Sequence, residues 1–453
     1  MLNQKDLIII GAGPGGYEIA AEAAASGRQV TLIEKGELGG TCLNRGCIPT
    51  KCLCASASTI LTIKDAAKYG VDVDGFTAHY DRAAARMRQV VDQLRSGIES
   101  LLRPVEVIKG EATLNKVGEQ VVVNVNGEQY AAQQLLIATG SKPAVLPIEG
   151  ADLAMTSDDF LRLDHVPESV AIIGGGVIGM EFASILAAFG AQVTVIEFCP
   201  EILPPFDKEV AKRLRTALSR RGVKTIVGAG VKSLRAVVPE DPAMRSLEVT
   251  YAGKKGEETI SCQAAIMAVG RRPVLPNGLT DCGIELTQRG FIEVDDQMQT
   301  SVPGVYAVGD VNGLCMLAHA ASAQARVALG AEVDLDYIPS AVFTMPECAM
   351  VGLTEEQCQA EGIDYAKNKA MFAGNGKALA MGEGDGFVKV LYSPATRLLL
   401  GVHIIGPHAA DLVAEATACM AEGATVDEIS ESIVHGHPTL SEAFMAACHV
   451  PNI

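Results

Sequence analysis

The sequence contains no block of lysine and arginine and no long apolar run near its N-terminus. Its formal net charge is −17 and its isoelectric point is near 5.0, so it repels phosphate backbones and nucleic acid is not expected as a partner. The first segment, MLNQKDLIIIGAG, has no basic region, and its apolar run of four residues is too short for a signal peptide or a membrane span. We therefore expect a cytoplasmic protein with no membrane segment.

Composition indicates a folded protein of several domains. The chain has 453 residues, more than one hydrophobic core normally organises, with 48% hydrophobic residues and 46 glycines. These values are typical of a loop-rich α/β protein rather than a disordered chain. The 12 cysteines are expected to be mostly reduced and buried, so any disulfide that forms should be catalytic rather than structural.

One internal repeat organises the chain. Residues 6–35 align without a gap on residues 169–198, with 15 of 30 positions identical. Each copy has the pattern of a buried strand, a glycine turn, a helix with small residues on one face, and a second strand that ends on glutamate. This pattern is typical of a βαβ dinucleotide-binding unit, so two Rossmann-like domains are expected.

The glycines and the glutamate of each copy have separate predicted roles. The first glycine allows a tight turn, the second lets backbone amides approach a pyrophosphate, and the third lets helix and strand pack closely. A glutamate 23 residues after the first glycine would accept hydrogen bonds from ribose hydroxyls and repel a 2′-phosphate, which favours NAD over NADP. These residues are Gly11, Gly13, Gly16 and Glu34 in the first copy, and Gly174, Gly176, Gly179 and Glu197 in the second.

Four cysteines directly follow the first copy, in the segment GGTCLNRGCIPTKCLC. Thiolates donate electrons through sulfur and nicotinamide accepts a hydride at carbon, whereas a flavin can do both. The first dinucleotide is therefore predicted to be FAD and the second NAD.

Position within this segment separates the four thiols. A helix beginning near the double glycine would lower the pKa values of Cys42 and Cys47. Pro49 would interrupt that helix, so that these two cysteines could come close enough to bridge. Cys52 and Cys54 lie in a helical run of small residues and are expected to be ordinary buried thiols.

The segment HGHPTLSEAFMAAC, residues 435–448, supplies a candidate base. Glu442 lies five residues after His437, and an imidazole held by a carboxylate keeps one tautomer and can take a proton from a dithiol. Thr439 and Glu442 also fit a capping box, which would explain the glutamate without catalysis. His435 and His437 have no clear partners at metal-ligand spacing, so no metal site is expected.

The segment GGTCLNRGCIPTK resembles the redox signature of the pyridine nucleotide-disulfide oxidoreductases, and the whole chain follows the segment order of that family. The resemblance implies that Cys42 exchanges with a disulfide substrate and that Cys47 makes a charge-transfer contact with the flavin. It also implies that Lys51 lies near the reactive flavin nitrogen, with Glu181 as its carboxylate partner. The alternatives are a solvated helix lysine and, for the glutamate, a simple repeat of Glu18 in the first copy.

Other segments resemble the same family, in the same order. The aspartate of the segment TSVPGVYAVGDV, Asp310, would lie at the ribityl and phosphate region of FAD. The following helix, MLAHAASAQAR, would direct its N-terminus at the flavin ring. IATGSKP and MAVGRRP resemble the crossover strands that join the FAD and NAD domains. The cofactor-binding residues so implied are Thr139, Gly140, Asp310 and Ala318 for FAD, and Gly270 for NAD.

The resemblance implies an architecture and an assembly. The expected class is α/β, with two Rossmann-like dinucleotide-binding domains and a C-terminal α+β dimerisation domain. His437, held by Glu442, would reach across the dimer interface into the partner subunit's active site, so a homodimer is expected. The predicted bounds are 1–145 and 269–335 for the FAD domain, 146–268 for the NAD domain, and 336–453 for the dimerisation domain.

Comparison within the family favours one branch. NADPH-dependent glutathione and trypanothione reductases would be expected to carry arginines where Glu197 stands, and the tail AACHVPNI has only Cys448 where mercuric and large thioredoxin reductases carry a redox pair. Soluble transhydrogenases lack the reactive pair altogether. The remaining branch oxidises dihydrolipoamide with NAD, on lipoyl carrier domains of 2-oxo acid dehydrogenase complexes or on the glycine cleavage H protein. Arg45 and Ala325 depart from the residues that are usual in the family.

Other functions stay open from the sequence. The enzyme could reduce another small disulfide or a coenzyme A disulfide, or act on quinones as a diaphorase. A structural subunit that binds flavin and leaves its cysteines idle is the non-enzymatic alternative. No lipoyl domain precedes the first strand, so the carrier of the dihydrolipoamide is expected on another chain.

Overall fold

The computed structural model of the protein describes residues 2–237, 246–254 and 256–450. Its strands, in chain order, are β1 Asn3–Ile10, β2 Val30–Glu34, β3 Glu106–Lys109, β4 Thr113–Val117, β5 Gln120–Val125, β6 Glu128–Ile137, β7 Ser141–Pro143, β8 Ser169–Ile173, β9 Gln192–Glu197, β10 Lys224–Val227, β11 Gly230–Val237, β12 Ser246–Gly253, β13 Gly256–Cys262, β14 Ala264–Met267, β15 Arg271–Pro273, β16 Val305–Ala307, β17 Ser340–Val342, β18 Glu347–Gly352, β19 Ala366–Met371, β20 Phe387–Tyr392 and β21 Leu399–Gly406. Its α-helices are α1 Pro14–Ala25, α2 Gly40–Arg45, α3 Cys47–Lys64, α4 Tyr80–Leu101, α5 Ser157–Phe160, α6 Val177–Ala188, α7 Lys208–Arg220, α8 Ala318–Ala328, α9 Glu355–Glu361, α10 Gly376–Ala380, α11 Ala409–Ala421 and α12 Glu442–Cys448.

The first of two compact units comprises residues up to 52, 82–144 and 270–335. Its main sheet has the order β3-β2-β1-β6, all parallel, and β6 pairs with the parallel β16 along its second half and with the antiparallel β5 along its first. Leu7 and Ile9 pack with residues of α1 and α8 on one face, and Ile8 and Ile10 pack with β4 and β5 residues on the other. Because both faces are buried, β1 is an unbroken apolar run rather than an alternating one.

The second unit comprises residues 53–81, 145–269 and 336 onwards. The second copy of the repeat forms the parallel sheet β10-β9-β8-β14, and the antiparallel sheet β11-β12-β13 shares a hydrophobic core with it. The C-terminal residues form the antiparallel sheet β17-β18-β21-β20-β19, which packs against α11 and α12. Both predicted βαβ units and the α+β C-terminal segment are therefore present, and the predicted α/β class is confirmed.

One helical stretch among the described residues, Gly40–Lys64, has the length and apolarity of a membrane span. It comprises α2 and α3, which are separate helices, and it carries the cysteine segment that follows the first βαβ unit. Core helices of soluble proteins meet the same criteria of length and composition, so these criteria alone do not assign the stretch to a membrane.

A buried cluster of charges links α7 to the C-terminal sheet within the second unit. The ammonium of Lys389, on β20, is only 1% exposed and lies 2.8 Å from a carboxylate oxygen of Asp207, which is also 1% exposed. Asp207 caps α7 by accepting hydrogen bonds from the first backbone N–H groups of that helix. Glu209 and Glu355 are further partners of the same ammonium. The cluster fixes the start of α7 on the C-terminal sheet.

We expect Lys389→Met to lower the free energy of unfolding by about 3 kcal/mol, because it leaves the carboxylate of Asp207 buried without its cation. Lys208→Met is the matched control, since Lys208 is 60% exposed and pairs with Glu356 outside the cluster, so its loss should cost less than about 1 kcal/mol. Urea unfolding followed by circular dichroism measures both changes. Equal midpoints for the two variants would contradict the buried-cluster assignment.

The same cluster predicts loss of stability in acid. Burial raises the pKa of Glu355, but hydrogen bonds from Lys367 and Lys389 outweigh burial and lower that pKa from 4.5 to about 2. A lowered pKa contributes stability that is complete above the unfolded value and is lost as the pH falls through the folded value. Thermal melting between pH 7 and about 2 should therefore show wild type losing stability below about 4.5, and Lys389→Met losing less over that range.

Candidate active site

The glycine turns place open helix ends at the carboxyl edges of both parallel sheets. Gly11 has φ +106° and Gly174 has φ +107°, and a β-carbon at either would lie 2.3 or 2.4 Å from the carbonyl oxygen of the residue that follows β6 or β14. Gly13 and Gly176 precede α1 and α6 with no side-chain cap, and a β-carbon there would meet nothing within 4 Å. The starts of both helices therefore face open space, which fits the approach of a pyrophosphate.

The third glycine of each copy allows the turn to fold against its own helix. A β-carbon at Gly16 would lie 1.9 Å from the carbonyl oxygen of Gly11, and one at Gly179 would lie 2.1 Å from that of Gly174. Side chains of β1 and β8 are the next neighbours, at 3.4 and 3.3 Å. The close packing predicted for these positions is therefore present, and its tightest contact is with the turn rather than with the strand.

The glutamates at the ends of β2 and β9 are fixed by backbone amides. Each carboxylate accepts two backbone hydrogen bonds, one per oxygen, at 2.7 and 2.6 Å for Glu34 and at 2.5 and 2.6 Å for Glu197. A carboxylate oxygen has a second lone pair, so both groups can still accept a ribose hydroxyl. The donors are Ala12 and Gly36 for the first glutamate, and Gly175 and Cys199 for the second.

The helix that carries the redox signature breaks at Gly46, not at the proline. Gly46 has φ −146° and ψ −111° and separates α2 from α3. Pro49 lies in the first turn of α3, where its missing N–H would have had no acceptor within the helix. The prediction that Pro49 interrupts the helix was therefore wrong in position, although a break between the two cysteines is present.

Cys42 on α2 and Cys47 at the start of α3 hydrogen bond to each other as thiols. This contact and burial raise the pKa of Cys42, and the nearby charge of Lys51 only partly offsets them. The expectation that a helix start lowers the pKa of Cys42 was therefore wrong, because two thiols in contact do not both ionise readily. Cys52 and Cys54 are buried, as predicted.

A polar network holds α2 in place. The side-chain amide of Asn44 donates to the carbonyl oxygens of Leu38 and Gly40, both at 2.9 Å, and its oxygen accepts from the Arg95 guanidinium at 2.7 Å. Arg45, the departure noted in the sequence, pairs with Glu37 at 3.3 Å. Sequence reasoning missed this network, since Arg95 is 51 residues from Asn44 and no motif links them.

A cavity of about 570 Å³ opens beside Cys42 within the first unit. Residues of α1, α4 and α8 line it together with those of the cysteine segment. Burial and the neighbouring Glu18 carboxylate raise the pKa of Tyr17 in this wall. At one edge, Arg326 on α8 pairs with Glu22 on α1 at 2.6 Å. The apolar lining residues include Leu43, Ile48, Leu94 and Ile98, and the polar ones include Tyr17, Glu18, His319 and Arg326.

The crossover segments meet beside Asp310. β7 and β15 form a two-stranded antiparallel sheet, and Ser141 on β7 donates its hydroxyl to the Asp310 carboxylate. Arg271 on β15 lies 3.7 Å from the same carboxylate and donates to the Ser141 hydroxyl oxygen at 2.6 Å. Both partners lie in segments that the sequence had singled out, but only the strand pairing reveals their contact. Thr139, Gly140 and Gly270 lie just before these strands, and Ala318 is the first residue of α8.

Glu181 and Lys51 lie on different helices. Glu181 on α6 is 3% exposed and accepts a hydrogen bond from the backbone N–H of Phe343 at 2.9 Å. Lys51 is half-buried in the second turn of α3. Their pairing stays a prediction.

The predicted imidazole and carboxylate pair is formed. His437 Nδ1 lies 2.8 Å from one oxygen of Glu442, whose other oxygen accepts the Thr439 backbone N–H at 2.8 Å. The Thr439 N–H and then His437 lower the pKa of Glu442. Helix α12 begins at Glu442 with Ser441 as its N-cap, so Thr439 is not the cap of a capping box. The histidine side chain is 79% exposed and can meet an incoming group.

His435 has a different environment. Its side chain is 3% exposed, and its Nε2 lies 2.6 Å from Glu415. Within the described part of the chain, no group of three or more histidine, cysteine or acidic side chains could hold a metal ion.

Comparisons with known proteins cover nearly the whole chain. The family described as pyridine nucleotide-disulphide oxidoreductase matches residues 5–325, and the dimerisation domain of that family matches residues 338–448. The chain is 39% identical to dihydrolipoyl dehydrogenase of Geobacillus stearothermophilus, covering 99% of this chain and 96% of that protein. It is 40% identical to dihydrolipoyl dehydrogenase of Thermus scotoductus, with 98% and 96% covered.

A solved structure has the same architecture. The HOCl-induced flavoprotein disulfide reductase RclA from Escherichia coli superposes with a TM-score of 0.84 at 27% identity. The match covers 99% of this chain and 100% of that one.

Proposed function

Because the chain belongs to the pyridine nucleotide-disulphide oxidoreductase family, we propose that it is a dihydrolipoyl dehydrogenase. It oxidises protein-bound dihydrolipoamide to lipoamide and reduces NAD to NADH. The contact between the thiols of Cys42 and Cys47, beside the first βαβ unit, carries this proposal. Relatives that bear this name match the chain along nearly its full length.

The cofactors of the family are FAD and NAD, and both βαβ units fit an adenine dinucleotide. The open starts of α1 and α6 suit a pyrophosphate, and the amide-held carboxylates of Glu34 and Glu197 suit ribose hydroxyls. Asp310, Lys51 and the start of α8 complete the proposed FAD site, with Glu181 as the partner of the lysine. When bound, FAD takes electrons from a thiolate and passes a hydride to NAD.

The dithiol and the histidine perform the exchange with the substrate. His437 takes the proton of one dihydrolipoyl thiol, and the resulting thiolate attacks Cys42 Sγ of the Cys42–Cys47 disulfide. This step forms a mixed disulfide and releases Cys47 as a thiolate. The second lipoyl thiol then attacks the lipoyl sulfur of the mixed disulfide, which yields lipoamide and leaves both protein sulfurs reduced. Of the two protons of the dithiol, one passes through His437 to the departing Cys42 sulfur and the other is released to solvent, so the negative charge stays on Cys47.

The assembly is a homodimer, supported by the match of residues 338–448 to the dimerisation domain of the family. In this dimer, His437 of each subunit would serve the cysteine pair of the other, with Glu442 holding its ring. The His437 side chain is exposed within one subunit, so it is free to contact groups at the active site of the other subunit.

The carriers of the substrate would be lipoyl domains of 2-oxo acid dehydrogenase complexes or the glycine cleavage H protein. The cavity beside Cys42 has apolar walls formed by residues such as Leu94 and Ile98, which suit a slender lipoyl arm. We place the enzyme in the cytoplasm, where a reducing environment keeps its other cysteines as thiols.

The charge of Glu197 predicts the choice of nicotinamide cofactor. We expect Glu197→Gln to lower the preference for NAD over NADP, as a ratio of kcat/KM values, by about 10-fold, since it removes the repulsion of a 2′-phosphate. Steady-state kinetics with both cofactors measures the ratio. The control is Glu201→Gln, four positions further along the chain, because that carboxylate pairs with Arg215 and its loss should leave the ratio unchanged.

The proposal is tested by anaerobic titration of the purified flavoprotein with NADH and with dihydrolipoamide, followed by visible spectroscopy. A long-wavelength absorption band after two electrons, reached with both reductants and lost in Cys47→Ser, is expected. Bleaching by NADH without such a band, and no response to dihydrolipoamide, would favour a diaphorase. A band with NADH alone would indicate reduction of another disulfide.

A further inference from the structure

One wall of the cavity beside Cys42 carries a carboxylate. Glu18, on α1, lines this cavity together with apolar side chains such as Leu43 and Leu94, and it is half-buried. Moving a charge out of water into mostly apolar surroundings is costly, so a carboxylate at this place is unexpected in a cavity that serves only to hold an apolar arm.

The hydrogen-bond partner of Glu18 is uncharged. The Tyr17 hydroxyl donates to a carboxylate oxygen of Glu18 at 3.1 Å. Burial, this carboxylate and then the charge of Cys42 raise the pKa of Tyr17, so the hydroxyl keeps its proton beside both groups. A phenolic hydroxyl donates a hydrogen bond but supplies no positive charge to offset the carboxylate.

The guanidinium at the edge of the cavity is engaged by another acidic residue. Arg326, on α8, lies 2.6 Å from Glu22, and both side chains are about half-exposed. Glu22 is the main cause of the raised pKa of Arg326, and Glu18 is the smallest of its causes. The charges of Arg326 and Glu22 offset each other, so this pair leaves the charge of Glu18 uncompensated.

A charge in this wall acts across the whole cavity. The volume of about 570 Å³ corresponds to a width of about 10 Å, which is similar to the distance over which charges act in 0.1 M salt. An anionic group inside the cavity is therefore repelled by Glu18. A lipoyl amide is uncharged, whereas lipoate carries a carboxylate and coenzyme A disulfide carries phosphates.

We propose that Glu18 is a specificity-determining residue, which excludes anionic dithiols and disulfides from the cavity and admits the uncharged lipoyl amide. This inference deepens the proposed function and rests on it for the identity of the neutral substrate. The net charge of −17 acts on every anion that approaches the protein, whereas Glu18 acts on the group that has entered the cavity.

Dihydrolipoamide and dihydrolipoate have the same dithiol and differ in the charge of the terminal group, so the ratio of their kcat/KM values measures this exclusion. Wild type should prefer the amide. Glu18→Gln, which keeps an oxygen that can accept from Tyr17, should lower the ratio about 5-fold at low ionic strength. At a pH of about 8.5, histidine side chains normally carry no charge, so His319 in the lining adds no cation. Salt at about 0.5 M should bring the wild-type ratio towards that of Glu18→Gln.

Asp92→Asn is the matched control. It removes the same charge from α4, a helix that also lines the cavity, but Asp92 is 69% exposed, pairs with Arg95 at 3.1 Å and lies outside the lining. Its ratio should equal that of wild type. Equal falls of the ratio in Asp92→Asn and Glu18→Gln would assign the preference to overall charge and overturn the inference.

A second readout does not depend on the lipoyl substrate. The reduced enzyme is alkylated with neutral iodoacetamide and with anionic iodoacetate, and the adduct on Cys42 is quantified by mass spectrometry. Glu18→Gln should lower the ratio of the two rates by a similar factor. If neither lipoyl compound is oxidised but this ratio falls, the proposed function fails and the role of Glu18 stands. If dihydrolipoamide is oxidised and neither ratio changes in Glu18→Gln, only the role of Glu18 is refuted.

Discussion

Cys42→Ser is expected to abolish oxidation of dihydrolipoamide. A serine oxygen forms no disulfide, so neither the mixed disulfide nor the oxidised pair can exist, and the reaction loses its covalent route. Turnover should fall by at least about 10⁴-fold when NADH formation is followed at 340 nm under saturating substrates. Bound flavin should remain, because the glycine turn and Glu34 that would hold it are untouched.

The matched control is Cys52→Ala, on the same stretch of chain. Cys52 is 8% exposed and lies on α3 beyond the reactive pair, so its loss should alter packing slightly and leave turnover near that of wild type. If Cys42→Ser kept turnover within about 10-fold of wild type, the Cys42 thiol would be excluded as the group that reacts with the substrate.

His437→Ala is expected to slow dihydrolipoamide turnover by about 1,000-fold, with flavin content unchanged. The imidazole is held through Nδ1 by Glu442 at 2.8 Å, so the ring has a fixed orientation in which Nε2 can accept the thiol proton. Without it, only the small fraction of thiolate already present in solution can attack the disulfide.

NADH oxidation by a one-electron acceptor is the internal control for His437→Ala, since that reaction needs no proton from a dithiol and should continue. Raising the pH should recover part of the lost dihydrolipoamide activity, because the free thiolate fraction increases. Near-normal turnover of this variant at neutral pH would refute the assignment of His437 as the base. His165→Ala, which removes another exposed histidine, should have no effect.

Local patterns in the sequence predicted the features that depend on residues close together in the chain. The two βαβ units follow from apolar strands, glycine turns and the spacing to Glu34 and Glu197, all within 30 residues. The contact between His437 and Glu442 is of the same kind, because Glu442 begins a helix only five positions after His437. Such short separations leave the backbone little freedom to place the groups elsewhere.

Features that depend on side-chain contacts or on where a helix begins were missed or were wrong. We expected a lowered pKa for Cys42 from the helix alone, whereas contact with Cys47 and burial decide the direction of the pKa shift. The support of α2 by Arg95 depends on how α4 packs, which no motif encodes. Pro49 was given the role of Gly46, since a proline in the first helical turn resembles a helix breaker when the start of the helix is not known.

Strand β6 has a consequence for synthesis of the protein on the ribosome. Its second half pairs on one side with β1 and on the other with β16, whose residues 305–307 emerge long after residue 137. Until then, the nascent sheet presents a strand edge with unpaired N–H and C=O groups, a template for pairing with other chains. The second βαβ unit and the β11-β12-β13 sheet are translated during this interval. The order of segments in the chain therefore leaves this edge of β6 unpaired while about 170 further residues are added. At roughly 5 residues per second, the slower end of the usual range, this takes some tens of seconds, and the intermediate is prone to aggregate during that time.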